Sequence, residues 1–170
     1  MASTGFKFPG NAANYARQVR PDWSSPSNVL TSNNTRASVS LDAAEGSDYL
    51  GTYNFNMSVP TDVTITGMTV RIEGYATNSY IALYVLEDVA NGTGGIDSNL
   101  NIGTLPTTEG NLDYSSIDVS SLTPTIANTS TFGIRIYAQN EDGSTRTTYI
   151  DSISIEISWG TGSRVQFIGI

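Results

Sequence analysis

The chain has 170 residues and neither cysteine nor histidine. It is long enough for one domain with its own core, and thiol catalysis, cysteine metal sites, disulfides and imidazole acid–base chemistry are excluded. The net charge of −8 is unevenly spread: residues 1–21 hold Lys7, Arg17 and Arg20 and no acid, while the rest sets five arginines against all 16 acids.

An acidic body repels nucleic-acid phosphates, so no nucleic acid is expected as a partner. No membrane partner is expected either, since no apolar run approaches the roughly 20 residues of a spanning helix. The first residues also lack the apolar stretch of a secretory signal.

In chain order, residues 1–22 show no sustained period and are broken by Pro9, Pro21, Gly5 and Gly10. They read as an extended basic N-terminal arm, with at most two helical turns over residues 11–19 where Ala12, Ala13 and Ala16 cluster. Residues 23–170 read as the folded domain. A first strand is expected over 36–41. Residues 52–59 alternate strictly, with Tyr53, Phe55, Met57 and Val59 on one face. Over 63–73 the inward parity flips, from Val63 and Ile65 to Met68, Val70 and Ile72. A glycine-bearing β-bulge at Thr66–Gly67, or a strand that changes sheets there, produces such a flip.

Residues 80–86 are apolar on both faces, as in a central strand or one covered by a partner. A Gly- and Asn-rich loop is expected over 91–101, and a short strand over 117–119. Residues 131–138 and 152–159 alternate cleanly, with Phe132, Ile134 and Ile136, then Ile153, Ile155, Ile157 and Trp159, facing inward. A loop over 139–144 separates them, and a last strand or tail falls at about 160–170. Eight or nine short strands with almost no helix predict an all-β fold, a β-sandwich with an extended N-terminal arm; jelly-roll topology is preferred, with an immunoglobulin-like sandwich the alternative that sequence barely separates from it.

Chemistry-bearing patterns are few. Glu87 and Asp88, Glu141 and Asp142, and Asp151 and Glu156 are the carboxylate pairs a glycosidase would need, but any acidic sandwich offers such pairs. Asp97, Asn99 and Asn101 alternate like the start of a calcium loop but lack its glycine and glutamate, and a polar turn accounts for them better. Gly92–Gly95 has no lysine or helix to make it a phosphate loop. Trp23, Tyr75, Tyr80, Tyr84, Tyr114 and Tyr137 could stack on sugar rings, although strands use aromatics routinely in cores and cross-strand pairs. No catalytic residue, metal site or cofactor is expected. The ends are the stronger interface candidates: Phe6, Lys7, Phe8, Arg17 and Arg20 in the arm, and Phe167 and Ile168 in the apolar C-terminus.

One order of motifs goes beyond composition. Trp23-Ser-Ser-Pro26 is followed by Ser47-Asp48-Tyr49-Leu50, a run ending at Pro60, Ile65-Thr-Gly67-Met68-Thr-Val70, Phe132-Gly133-Ile134 and Ile150-Asp151-Ser-Ile153. Over residues 23–159 this resembles a group of tailed-bacteriophage virion proteins. The resemblance implies a non-enzymatic structural protein of the virion. The leading expectation is a capsid decoration, or cement, protein that binds the major capsid protein or other virion subunits as a homo-oligomer, with a trimer favoured. The alternatives are a tail or fibre component and a carbohydrate-binding β-sandwich module, with a sandwich glycosidase behind them.

Overall fold

The computed structural model describes residues 1–77 and 79–161, the side chains of Ser98 and Thr161 excepted. Phe167, Ile168 and the strand expected near 164–168 lie outside the described residues. The strands are β1 Ala2–Ser3, β2 Asn11–Tyr15, β3 Ala37–Leu41, β4 Tyr49–Tyr53, β5 Val63–Ala76, β6 Ser79–Asp88, β7 Thr93–Thr104, β8 Gly110–Tyr114, β9 Gly133–Asn140 and β10 Arg146–Thr161. A 3-10 turn at Pro26–Val29 and the one-turn helix α1 at Pro124–Ala127 are the helical pieces among the described residues. No described helix is long and apolar enough to cross a membrane.

The strands form two antiparallel five-stranded sheets. Leaving out β1 and β2, one sheet runs β3-β10-β5-β8 and the other β4-β9-β6-β7, which is the jelly-roll order of eight strands. The alternation read from the sequence sets the inner faces: Ile153, Ile155 and Ile157 of β10 and Ile134 and Ile136 of β9 are fully buried between the sheets.

The parity flip is a bulge. Ser158 pairs with Gly67 but Trp159 pairs with Ile65, so Thr66 is the extra residue on β5. Glycine is not what the bulge requires, because a Cβ on Gly67 would meet nothing within 4 Å. A second bulge lies on β10, where Ile150 pairs with Gly74 and Ser152 with Glu73, leaving Asp151 unpaired and 1% exposed. It turns the inward parity from Thr148 and Ile150 to Ile153.

Residues 1–22 run extended, but along the body rather than away from it. Ala2–Ser3 pairs with Ser158–Trp159, and Lys7 exchanges backbone hydrogen bonds with Ile155 of 2.8 and 3.0 Å. The chain then crosses to the other sheet, where Asn11–Tyr15 pairs with Tyr49–Tyr53 along its whole length. The helix expected over 11–19 is therefore replaced by β2: the open edge of β4 offers every backbone group a partner, which outweighs the weak preference of three alanines. The outer edge of β10 is tiled in turn by β3, a bridge from Leu30 to Ser152, Lys7 and β1.

Three other expectations change. The run over 52–59 leaves the ladder at Tyr53. Asn54, Asn56 and Ser58 take left-handed φ of 64°, 49° and 55°, so Phe55, Met57 and Val59 are buried every second residue without strand pairing. The loop expected over 91–101 belongs to edge strand β7, whose pairing with β6 shifts register three times; such irregularity suits an edge and tolerates Gly and Asn. No strand forms at 117–119, although Ile117 is buried.

Candidate functional site

Strand alternation turns one set of side chains outward on the second sheet. From β2, β4, β9 and β6 that outer face collects Tyr15, Tyr49, Tyr53, Tyr80, Tyr84 and Tyr137, six of the nine tyrosines of the chain. Ala13, Gly51, Arg135 and Tyr84 stand in one row across it. Gly51 is required here: a Cβ would lie 2.4 Å from the Tyr15 ring and 2.9 Å from Val89. Its absence lets the Tyr15 ring and Val89 lie flat on the sheet.

Two arginines complete the face. Arg17 places its guanidinium 3.6 Å from the centroid of the Tyr137 ring, a stacked cation–π contact. Arg135 lies 4.3 Å from the Tyr15 centroid and 5.6 Å from that of Tyr49. Its Nη2 donates to the carbonyls of Val89 and Ala90, while its buried Nε has no hydrogen-bond partner. Burial pushes its pKa down from the usual guanidinium value, yet it remains charged. Arg36, Arg71 and Arg146 pair with carboxylates; among the described residues neither Arg17 nor Arg135 does.

The rings do not form a flat pavement. Tyr49 meets Tyr84 at 79° and Tyr137 at 70°, with centroids 5.5 and 6.1 Å apart. Edges and hydroxyls are thus presented alongside ring faces. The Tyr84 hydroxyl donates to Asn99 Oδ1 at 3.2 Å. Burial, then the neighbouring Tyr49, pushes Tyr84 up to about 12. Burial first, then Tyr137 for Tyr80 and Tyr53 for Tyr15, raises those two as well. All three are neutral O–H donors at neutral pH.

The residues singled out from the sequence scatter. Of the five interface candidates among the described residues, Arg17 alone stands on the tyrosine face. Phe6 packs under Arg71 at 4.1 Å on the other sheet. Lys7 is fixed at the edge of β10, Phe8 is 43% exposed and Arg20 is half-buried between β2 and the 3-10 turn. Among the six aromatics proposed for sugar stacking, Tyr80, Tyr84 and Tyr137 meet on the face, Tyr137 being only 5% exposed. Tyr75 stacks on Tyr149 at 4.7 Å on the other sheet, Tyr114 ends β8, and Trp23 is core, 2% exposed with Nε1 donating to the Asp48 carbonyl. Tyr15, Tyr49, Tyr53 and Arg135 were missed. For Arg135 the signal existed, since it alternates with Tyr137 on a strand read correctly.

Four of the six acidic candidates, Asp88, Asp142, Asp151 and Glu156, are engaged with protein donors. Asp142 pairs with Arg146, Glu156 accepts from Ser3, and Asp88 accepts from Asn91. In the suspected calcium run, Asp97 accepts from the Asp118 N–H, Asn99 from Tyr84 and Asn101 from the Gly103 N–H. Glu73, Glu109 and Asp151 bring oxygens within 4.8 Å of one another, enough to ligate a hard cation. Each already accepts from the protein, Glu73 from Ser152, Glu109 from Arg36 and Asp151 from the Asn33 N–H. The trio thereby ties the segment before β3 to β10 and β5.

No family model matches the chain, and no curated protein matches it. Among solved structures it is similar to the carbohydrate-binding module TmCBM61 in complex with β-1,4-galactotriose, at 12% identity and a TM-score of 0.46, over 88% of this chain and 90% of that one. It is also similar to the glycoside hydrolase domain of Endo-D from Streptococcus pneumoniae R6, at 12% identity and a TM-score of 0.45. That match takes in 86% of this chain but 21% of the other.

Proposed function

We propose that this domain is a non-catalytic glycan-binding module that holds a soluble oligosaccharide chain across the outer face of β2, β4, β9 and β6. The observation that carries this reading is the gathering of Tyr49, Tyr80, Tyr84 and Arg17 on one open face, with Asn99 beside them as an acceptor. Sugars are recognised by apolar ring faces packed on aromatics and by hydroxyl networks, and this face offers both. Its rings are tilted against one another, so it fits a single flexible chain better than a flat crystalline surface. With Asp88, Asp142, Asp151 and Glu156 engaged by protein donors, the reading assigns it binding without hydrolysis.

The test is affinity electrophoresis through gels carrying a panel of soluble polysaccharides. Retardation by one class of polymer, weakened at least tenfold in Y49A and Y84A, is the expected result. A protein that no polymer retards would overturn the reading.

Tyr and Arg are also the residues enriched at protein-interface hot spots. A second reading therefore keeps the virion role, with the same face seated on a capsid or tail subunit. Co-sedimentation with capsid shells stripped of accessory proteins, lost in Y84A and R17A, would favour it.

A further inference from the structure

The chemistry of the face narrows the ligand class. This step rests on the glycan-binding reading above. The protein holds 16 acids against 8 cations, yet the outward side chains of β2, β4 and β9 include no carboxylate, and β6 contributes only Asp88 at its end. That carboxylate is held by both the backbone and the side chain of Asn91. The same face holds two arginines whose guanidinium groups lean on tyrosine rings; the acids that border it are Asp48, whose carboxylate accepts the Arg17 backbone N–H at 2.9 Å, and Glu141, whose charge is felt at Tyr80.

Arg17 is the more available of the two. Stacking on Tyr137 fixes the plane of its guanidinium, and its charge is felt at the hydroxyls of both Tyr80 and Tyr84. A planar fork held flat, beside neutral phenol donors, is the arrangement that takes up a carboxylate through two parallel N–H···O bonds. Arg135 adds a second positive charge from beneath the Tyr15 and Tyr49 rings, its Nη2 held by two carbonyls.

We infer that the ligand is an acidic glycan whose uronate carboxylate is bound by Arg17, with the Tyr80 and Tyr84 hydroxyls alongside. The negative charge of the whole protein does not forbid this. At physiological salt, exposed acids more than about 8 Å away are largely screened, whereas a contact pair on the face is not.

The experiment compares polygalacturonate with its fully methyl-esterified form, two polymers of the same backbone that differ in charge, by affinity electrophoresis and calorimetry. Wild type is expected to bind the acid form roughly tenfold or more tightly, with affinity falling as salt rises. R17Q should remove that preference and R17K restore part of it, each with a melting temperature within about 4 °C of wild type, the small loss expected from the Tyr137 stacking contact. Equal binding of both polymers, or a preference that survives in R17Q, would overturn the inference and leave the glycan reading standing. If neither these polymers nor any neutral polysaccharide binds, while a polyglutamate peptide does, the glycan reading itself falls.

Discussion

Gly51 and Gly67 stand on neighbouring stretches of sequence, and the structure assigns them opposite weights. Gly51 lies under the Tyr15 ring and Val89, while Gly67 faces open space. G51A forces both groups off the sheet and is expected to cost about 1–3 kcal/mol. G67A should stay within about 0.5 kcal/mol of wild type or gain slightly by restricting the unfolded chain. Urea midpoints of the two variants check both expectations. The sequence pointed the other way, because a parity flip next to a glycine suggests that the glycine makes the bulge. Parity reports which strand holds the extra residue and is silent about which side chain could stand there.

The tyrosines carry a second prediction at this scale. Burial holds Tyr84 at about 12 in the folded state, against about 10 in an unfolded chain. Below about pH 10 both states are protonated and nothing is at stake. Above it the unfolded chain ionises first, so the folded state loses stability relative to it as pH rises from about 10 towards 12. Tyr80 and Tyr15 act in the same direction. Melting temperature should therefore fall through that window, less steeply in Y84F, and phenolate absorbance of Y84F should lack its latest-titrating step. These rings were only half legible beforehand. Tyr80 and Tyr84 stood on a strand legible as apolar on both faces and Tyr137 on one that alternates cleanly, whereas Tyr15 and Tyr49 stood in segments without a readable period.

Elements show where pattern and pairing part company. Residues 54–59 bury every second side chain as a strand would, but left-handed Asn54, Asn56 and Ser58 make the zigzag, and alternation alone cannot tell the two apart. β7 fails in the opposite sense, because a strand written in Gly and Asn is held by β6 rather than by its own preference. The N-terminal strap also follows from pairing, since β1, Lys7 and β2 close edges of both sheets that would otherwise stand open. Removing residues 1–9 bares the outer edge of β10 beyond Ser152. The truncated protein is expected to melt several degrees lower and to self-associate in size-exclusion chromatography, as open edges do. An unchanged melting temperature would show that the strap adds little to the sandwich.

At the scale of the whole molecule, strand number and alternation were enough to read an all-β sandwich. The jelly-roll order rests on pairings far apart in sequence, such as Ala37–Leu41 with Arg146–Ile150, which no local pattern encodes. A fold made of such pairings closes long loops before it gains contacts. Refolding from urea is accordingly expected on the millisecond-to-second scale rather than in microseconds, measured by stopped-flow Trp fluorescence.

The antiparallel match of Ala2 with Trp159 places the two ends of the described chain side by side. A tether pulling one end away from the other would load the β1–β10 hydrogen bonds one at a time. The strap would then peel off like a zipper, β1 first and the Lys7 bridge next, instead of shearing as a block. Under tension the domain should yield at low force from this corner, long before the tyrosine face is disturbed.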